Sequence, residues 1–239
     1  MATTLSSLPP TMRAWTRPRR GPYRTSLRLT TIPTPSPPVG SEVLIKVSYV
    51  PLNPGALAMI SLLPAFITVQ DAIPELECSG TVVAAGPNAP AELREPGTLV
   101  TAFRDVPSVI RGKGLLAEYV KIPAEMAVMP LPEGLRGRMK EAGAMTGVGQ
   151  TALKMIRTAG VKAGDVVLVN GASGGVGVML VQVCKLAGAR VVGIASGGNE
   201  EFVRGLGVDE VSAFLRSTTG RLTMGSLLTT GSIRTCRGI

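Results

Sequence analysis

A chain of 239 residues, 45% of them hydrophobic, has the material for one large or two modest domains with real cores. Its net charge of +9 sits entirely in the two ends: residues 1–41 hold six Arg and no acid, residues 216–239 hold four Arg and no acid, and the body between them is close to neutral. That distribution, with aromatics at 3% and no basic stripe, argues against nucleic-acid binding. The absence of histidine removes the commonest zinc ligand and general base, and no apolar run reaches the 18 residues that suggest a membrane span.

Residues 1–11 read as a disordered leader. The Arg-, Ser- and Thr-rich start also fits a mitochondrial transit segment, so a mitochondrial location stands as the alternative to a cytoplasmic one. Met12–Leu29 suggests two strands around a turn at Gly21-Pro22. Ile32–Gly40 is a proline-rich connector that cannot be helical. Glu42–Tyr49 alternates as a strand facing a core on one side, and Pro51–Pro54 ends it. Leu57–Val69, broken by Pro64, reads as a buried helix–turn. Cys78–Gly86, Thr98–Phe103 and Ala117–Ile122 complete a set of short strands with Gly/Pro punctuation. Residues 12–135 are therefore expected to form a β-rich, barrel-like domain.

Residues 136–211 read differently. Met139–Met155 has helical spacing, interrupted by Gly147 and Gly149. Val166–Asn170 is a buried strand, Gly171–Gly177 a glycine turn, Val178–Leu186 an amphipathic helix and Arg190–Ala195 a second buried strand. This is the βαβ unit of a dinucleotide-binding sheet. Gly171, Gly174 and Gly177 serve the tight turn, the approach of a pyrophosphate and close helix–sheet packing. The helix start offers N–H groups and partial positive charge to phosphates.

The second strand ends at Ala195-Ser196-Gly197-Gly198. An acid there would hold the ribose 2′-OH of NAD(H) and repel a 2′-phosphate. None is present, and Ser196 can donate to phosphate, so NADP(H) is favoured over NAD(H). Cys78, Cys184 and Cys236 make neither a disulfide framework nor a metal-ligand spacing, which points to a reducing compartment. Cys184 reads as a packing residue.

Four segments in order resemble the medium-chain dehydrogenases/reductases, in the branch of zinc-less quinone oxidoreductases and enoyl reductases. They are Glu42–Pro54 (EVLIKVSYVPLNP), Leu76–Gly86 (LECSGTVVAAG), Gly114–Pro123 (GLLAEYVKIP) and Gly147–Gly177, which contains a G-x-T-A helix and the GASGGVG turn. The resemblance implies an α/β chain. A GroES-like catalytic domain would be followed by the first half of a Rossmann domain, with NADPH in the cleft between them.

The zinc-dependent alcohol dehydrogenases place a zinc-liganding His before the Glu that matches Glu77. Here that position is Leu76, so no zinc is expected. Asn53 matches the Asn near the nicotinamide, and its alternative reading is a turn-forming Asn before Pro54. Thr151 matches the cofactor-side Thr of G-x-T-A, with a helix-interior Thr as its alternative. Gly174, Gly175, Val176 and Gly177 would cradle the pyrophosphate. Tyr119 reads as core.

Family members often carry a Lys where this chain has Gly198, and Arg204 is the substitute cation the sequence offers. No proton donor follows Asn53-Pro54, so a proton for reduction of an activated C=C would come from water. A small-molecule quinone or enone is the expected partner, without nucleic acid or membrane, and homodimerisation is left open.

Beyond Val211 the resemblance stops. Glu210–Phe214 suggests a third strand, but residues 212–239 read as a Ser/Thr/Gly/Arg-rich, poorly ordered tail, as in a truncated chain. The competing reading is a catalytically dead binding or interaction protein that retains a partial nucleotide pocket.

Overall fold

The computed structural model describes residues 8–18, 23–56, 69–126, 128–213 and 233–237. The leader before Leu8, the turn at Gly21-Pro22, the helix–turn over 57–68 and the tail segment 214–232 lie outside these residues. The chain divides into two compact units, Met1–Gly147 and Val148–Ile239.

In the first unit, β1 (Thr11–Thr16) and β2 (Arg28–Pro33) pair antiparallel, with Met12 opposite Ile32 and Thr16 opposite Arg28. β2 thus starts at the end of the expected strand and runs into residues read as the proline connector. β3 (Glu42–Tyr49), β4 (Glu77–Ala85), β5 (Leu99–Phe103), β6 (Tyr119–Pro123) and β7 (Val128–Pro130) form an antiparallel sheet in the order β6-β3-β4-β5-β7. β7 had no visible signal, being three residues long and ending in Pro130.

β3 was expected to bury one face. Instead Val43, Leu44 and Ile45 are all fully buried, because both faces are covered. Val43 and Ile45 pack with Val82, Val100 and Ile122. Leu44 packs with Met12, Val83 and Tyr119 on the face that the β1–β2 hairpin covers. Tyr119 is a core residue, as expected. The hairpin is stitched on by Trp15 N donating to Leu116 O and Glu118 N donating to Arg13 O, each at 3.0 Å.

Two helices follow, Met139–Gly143 and Met145–Ala159. The break falls at Ala144, not at Gly147 or Gly149, which both lie inside the longer helix. The second unit then builds a parallel sheet from β8 (Val166–Asn170), β9 (Arg190–Ala195), β10 (Glu210–Ala213) and β11 (Ile233–Arg237), in the order β10-β9-β8-β11. The Gly175–Leu186 helix connects β8 to β9, and a short Glu200–Gly205 helix connects β9 to β10. Its core joins Val167, Val169 and Val191 of the sheet to Leu180, Val181 and Cys184 of the connecting helix. Cys184 is therefore packing material, as its place in the sequence suggests.

The α/β class, with a β-rich unit before a partial Rossmann sheet, is the one expected. The tail reading fails at Ile233–Arg237, which pairs with β8 from Ile233 opposite Val166 to Arg237 opposite Asn170. The sequence there has no strand-like alternation, so this pairing depends on the open edge of β8.

Leu44→Ala should cost about 2–5 kcal/mol, because it leaves a cavity between two closed layers. Leu186→Ala, at a side chain 86% exposed, should change stability by less than about 0.5 kcal/mol. Urea unfolding of both variants against the parent measures the contrast, and equal effects would contradict the two-sided burial of β3.

Candidate functional site

In the first unit, the peptide leading into β4 and the first residue of that strand bring two carboxylates into the interior. Glu75 is 0% exposed and Glu77 is 1% exposed, on either side of Leu76. Glu75 also has a φ of 75°, an uncommon conformation for a side chain of this size. Asn53 binds both acids. Its backbone N–H donates to Glu75 Oε2 at 3.0 Å, and its Nδ2 donates to Glu75 Oε2 at 3.4 Å and to Glu77 Oε1 at 3.1 Å. The amide nitrogen is thereby committed, and Oδ1 is the atom left to accept a hydrogen bond from a ligand.

Glu77 Oε2 accepts from Gly147 N at 2.5 Å. Gly147 is the third residue of the Met145–Ala159 helix, so Glu77 caps that helix from a distant strand. A side chain at 147 would place its Cβ 3.0 Å from the carboxylate, so glycine permits the approach. Thr146 binds in the same region, with Oγ1 3.0 Å from Thr101 Oγ1. Burial raises the pKa of Glu77 above its ordinary value, partly offset by hydrogen bonds from Gly147, Asn53 and Thr146. The sequence reading missed Glu75, Thr146 and the capping role of Glu77. Two acids flanking a leucine in an otherwise apolar stretch were the available signal, since acids are seldom fully buried unless paired.

In the second unit, the turn after β8 starts at Gly171, whose φ of 73° suits glycine. Gly171 N and Ala172 N both donate to Ile194 O at 3.0 Å, fixing the turn to β9. The helix begins at Gly175, three residues earlier than expected, with Gly174 as an extended N-cap that makes no side-chain cap. The N–H groups of the first turn have no partner in the helical ladder, and Gly174 and Gly175 are exposed. Val176 is half-buried against the core. Gly177 has a structural reason: a Cβ there would lie 2.1 Å from Gly171 O. At Gly174 the nearest atom would be the same oxygen at 3.2 Å, a contact that needs only a small adjustment.

Thr151 is half-buried in the second unit, on the helix that carries Gly147. Ser196 is exposed directly after β9, as expected, and its Oγ accepts from Asn199 Nδ2 at 2.9 Å. Arg204 does not supply the missing cation freely. Its guanidinium binds Glu200 Oε1 at 2.8 and 3.0 Å across one helical turn.

Comparison with known proteins matches residues 40–133 to the alcohol dehydrogenase GroES-like domain. The chain is 40% identical over 228 residues to the medium chain reductase pydE of Acremonium sp, covering 87% of this chain and 62% of that one. It is 32% identical over 233 residues to the trans-enoyl reductase poxH of Penicillium oxalicum, covering 84% and 60%. The quinone oxidoreductase structure from Coxiella burnetii superposes with a TM-score of 0.75 at 26% identity, over 87% of this chain and 64% of that one. The chain thus spans about 60% of the length of the curated relatives it matches.

The raised pKa of Glu77 fixes a sign for its pH dependence. The native state holds a proton that the unfolded chain releases, over a window from the ordinary 4.5 up to the raised native value. The associated stability is fully present below 4.5 and is lost as pH rises through the native pKa. Glu77→Gln should therefore show its largest stability deficit at acid pH, about 1–3 kcal/mol, shrinking toward neutrality. Urea midpoints across that range test this, and a pH-independent difference would count against it.

Proposed function

Because this chain belongs to the medium-chain dehydrogenase/reductase family and is quinone- and enoyl-reductase-like, we propose that it acts in NADPH-dependent, zinc-independent reduction of quinones or α,β-unsaturated carbonyl compounds. The observation that carries this reading is Leu76 between two buried acids, in a chain whose second unit offers an uncapped helix start after β8.

The residues around Leu76 do not suit a catalytic zinc. The chain has no histidine. Burial pushes the Cys78 thiol up to about 12, far from the thiolate a metal needs. Glu77 accepts from Gly147 N through one oxygen and from Asn53 Nδ2 through the other.

The glycine turn does suit a dinucleotide. Backbone N–H groups of Gly175, Val176 and Gly177 would donate to the pyrophosphate, and Gly174 would keep that approach clear. Ser196 would meet the ribose 2′-group, where no acid stands to repel a phosphate. Asn53 would position ligand through Oδ1, with Thr151 as a second cofactor-side residue. A nicotinamide held by these residues would supply the hydride, and the proton would come from water. Among the described residues no helix is long and apolar enough to cross a membrane.

A second reading is favoured by one observation, the lack of an acid after Asn53-Pro54: a protein that binds nucleotide without turnover. NADPH titration by fluorescence, with NADPH oxidation over a quinone and enone panel, separates the two. Turnover above buffer rejects the silent binder, and binding without turnover rejects the reductase. Stoichiometric zinc in the purified protein would overturn the zinc-independent reading.

Gly174→Val should keep the fold and weaken NADPH binding by about tenfold or more, since the added side chain occupies the phosphate approach. Gly177→Val should lose folded second unit instead, because its Cβ meets backbone. Titration and thermal melting of both variants are the check, and unaltered NADPH affinity in Gly174→Val would remove the turn as the phosphate site.

A further inference from the structure

Asn199 stands at the N-cap position of the Glu200–Gly205 helix, yet its side chain makes no capping hydrogen bond. An Asn in that place ordinarily accepts from a backbone N–H of the first turn. Here its amide nitrogen donates to Ser173 Oγ at 3.2 Å and to Ser196 Oγ at 2.9 Å. Ser173 lies in the turn after β8 and Ser196 directly follows β9. Asn199 therefore joins the two loops that leave the C-terminal ends of neighbouring parallel strands. Its own N–H donates to Ser196 O at 2.8 Å, which closes the segment into a compact turn.

The direction of these bonds decides what the serines offer. A hydroxyl has one proton and two lone pairs. Since Nδ2 donates to both oxygens, neither serine proton points at Asn199, and both are released to donate elsewhere. Ser196 is exposed and Ser173 half-buried. A Cβ built at Gly197 or Gly198 meets nothing within 4 Å, so the space beside the pair is open. Arg204 is engaged with Glu200, which leaves hydroxyl donors as the recognition chemistry at the end of β9.

We propose that Asn199 is a positioning residue for the 2′-phosphate of NADPH: it holds Ser173 and Ser196 as a pair of outward hydroxyl donors and so sets the preference for NADPH over NADH. This rests on the nicotinamide-cofactor reading above. The amide is essential to it, because a carboxylate at the same place would accept from both serines, turn their protons inward and add a negative charge.

The test titrates the full chain with NADPH, NADH, 2′,5′-ADP and 5′-AMP. Asn199→Asp should weaken NADPH and 2′,5′-ADP by about tenfold or more while NADH and 5′-AMP stay within about twofold. Asn199→Ala should lose selectivity in the same direction by about threefold. The unphosphorylated ligands report whether each variant remains folded. Equal losses for both ligand classes would mark a merely structural residue and overturn the inference, as would an unchanged NADPH-to-NADH ratio. A parent chain that prefers NADPH while Asn199→Asp keeps that preference leaves the cofactor reading intact and removes Asn199 from it. A parent chain that binds neither dinucleotide, or both equally, overturns both.

Discussion

The buried carboxylate of Glu77 is the tie on which the first unit's interior is arranged. A charge with 1% exposure is costly unless its oxygens are occupied, and here each is. One side takes Asn53 and the other takes Gly147 N at the start of the Met145–Ala159 helix. Capping from strand β4 satisfies an N–H that the helix itself cannot, and the helix start in turn favours negative charge. The same bonds orient Asn53, which leaves Oδ1 as its free acceptor. Loss of the Glu77 side chain would therefore disturb a loop, a strand and a helix together. The surrounding bonds have the same character: Ser79 Oγ donates to Met139 O at 2.5 Å and Thr101 Oγ1 donates to Ala142 O at 2.9 Å. Polar groups of β4 and β5 satisfy the short Met139–Gly143 helix, which is too short to be stable alone.

The second unit rests on a different economy. Its parallel strands are covered by apolar side chains, and the polar work is done by backbone in the turn after β8. Glycines there divide into two kinds. Gly177 lets the helix sit against the turn's own carbonyl, so its need is internal to the fold. Gly174 and Gly175 are exposed, and an added Cβ would come no closer than 3.2 Å to Gly171 O at the first and 3.7 Å to Val148 at the second. Asp209 fixes the far end of the same layer, accepting from Lys185 Nζ at 2.8 Å and from Val191 N at 2.6 Å. The helix that lines the turn is thus tied to the start of β10.

Several features were legible from local pattern because they are local. The βαβ order follows from buried β-branched runs separated by glycine and an amphipathic segment, and β8, β9 and the strand at Glu42–Tyr49 lie where that pattern places them. The missing acid after β9 and the leucine before Glu77 are statements about residue identity. Both are visible without coordinates. Boundaries were less legible. The helix starts at Gly175 because helical dihedrals begin as soon as the turn's bond from Gly174 N to Gly171 O closes, although glycine propensity argues against it.

The sequence by itself determined the α/β class, the order of a β-rich unit before a dinucleotide-type turn, and the absence of histidine chemistry, since these depend on composition, period and residue identity. Only tertiary structure decided which polar atoms meet. Asn53 finds Glu75 and Glu77 from 22 and 24 residues away, and Gly147 finds Glu77 from 70 away. Asn199 reaches Ser173 across 26 residues. Leu44 is buried on a second face because a hairpin from the start of the chain lies over it, and Ile233–Arg237 becomes a strand because β8 has an open edge. The physical reason is common to all of these. A hydrogen bond or a sheet edge is satisfied by whichever group the fold brings within about 3 Å, and spacing along the chain carries no record of that distance.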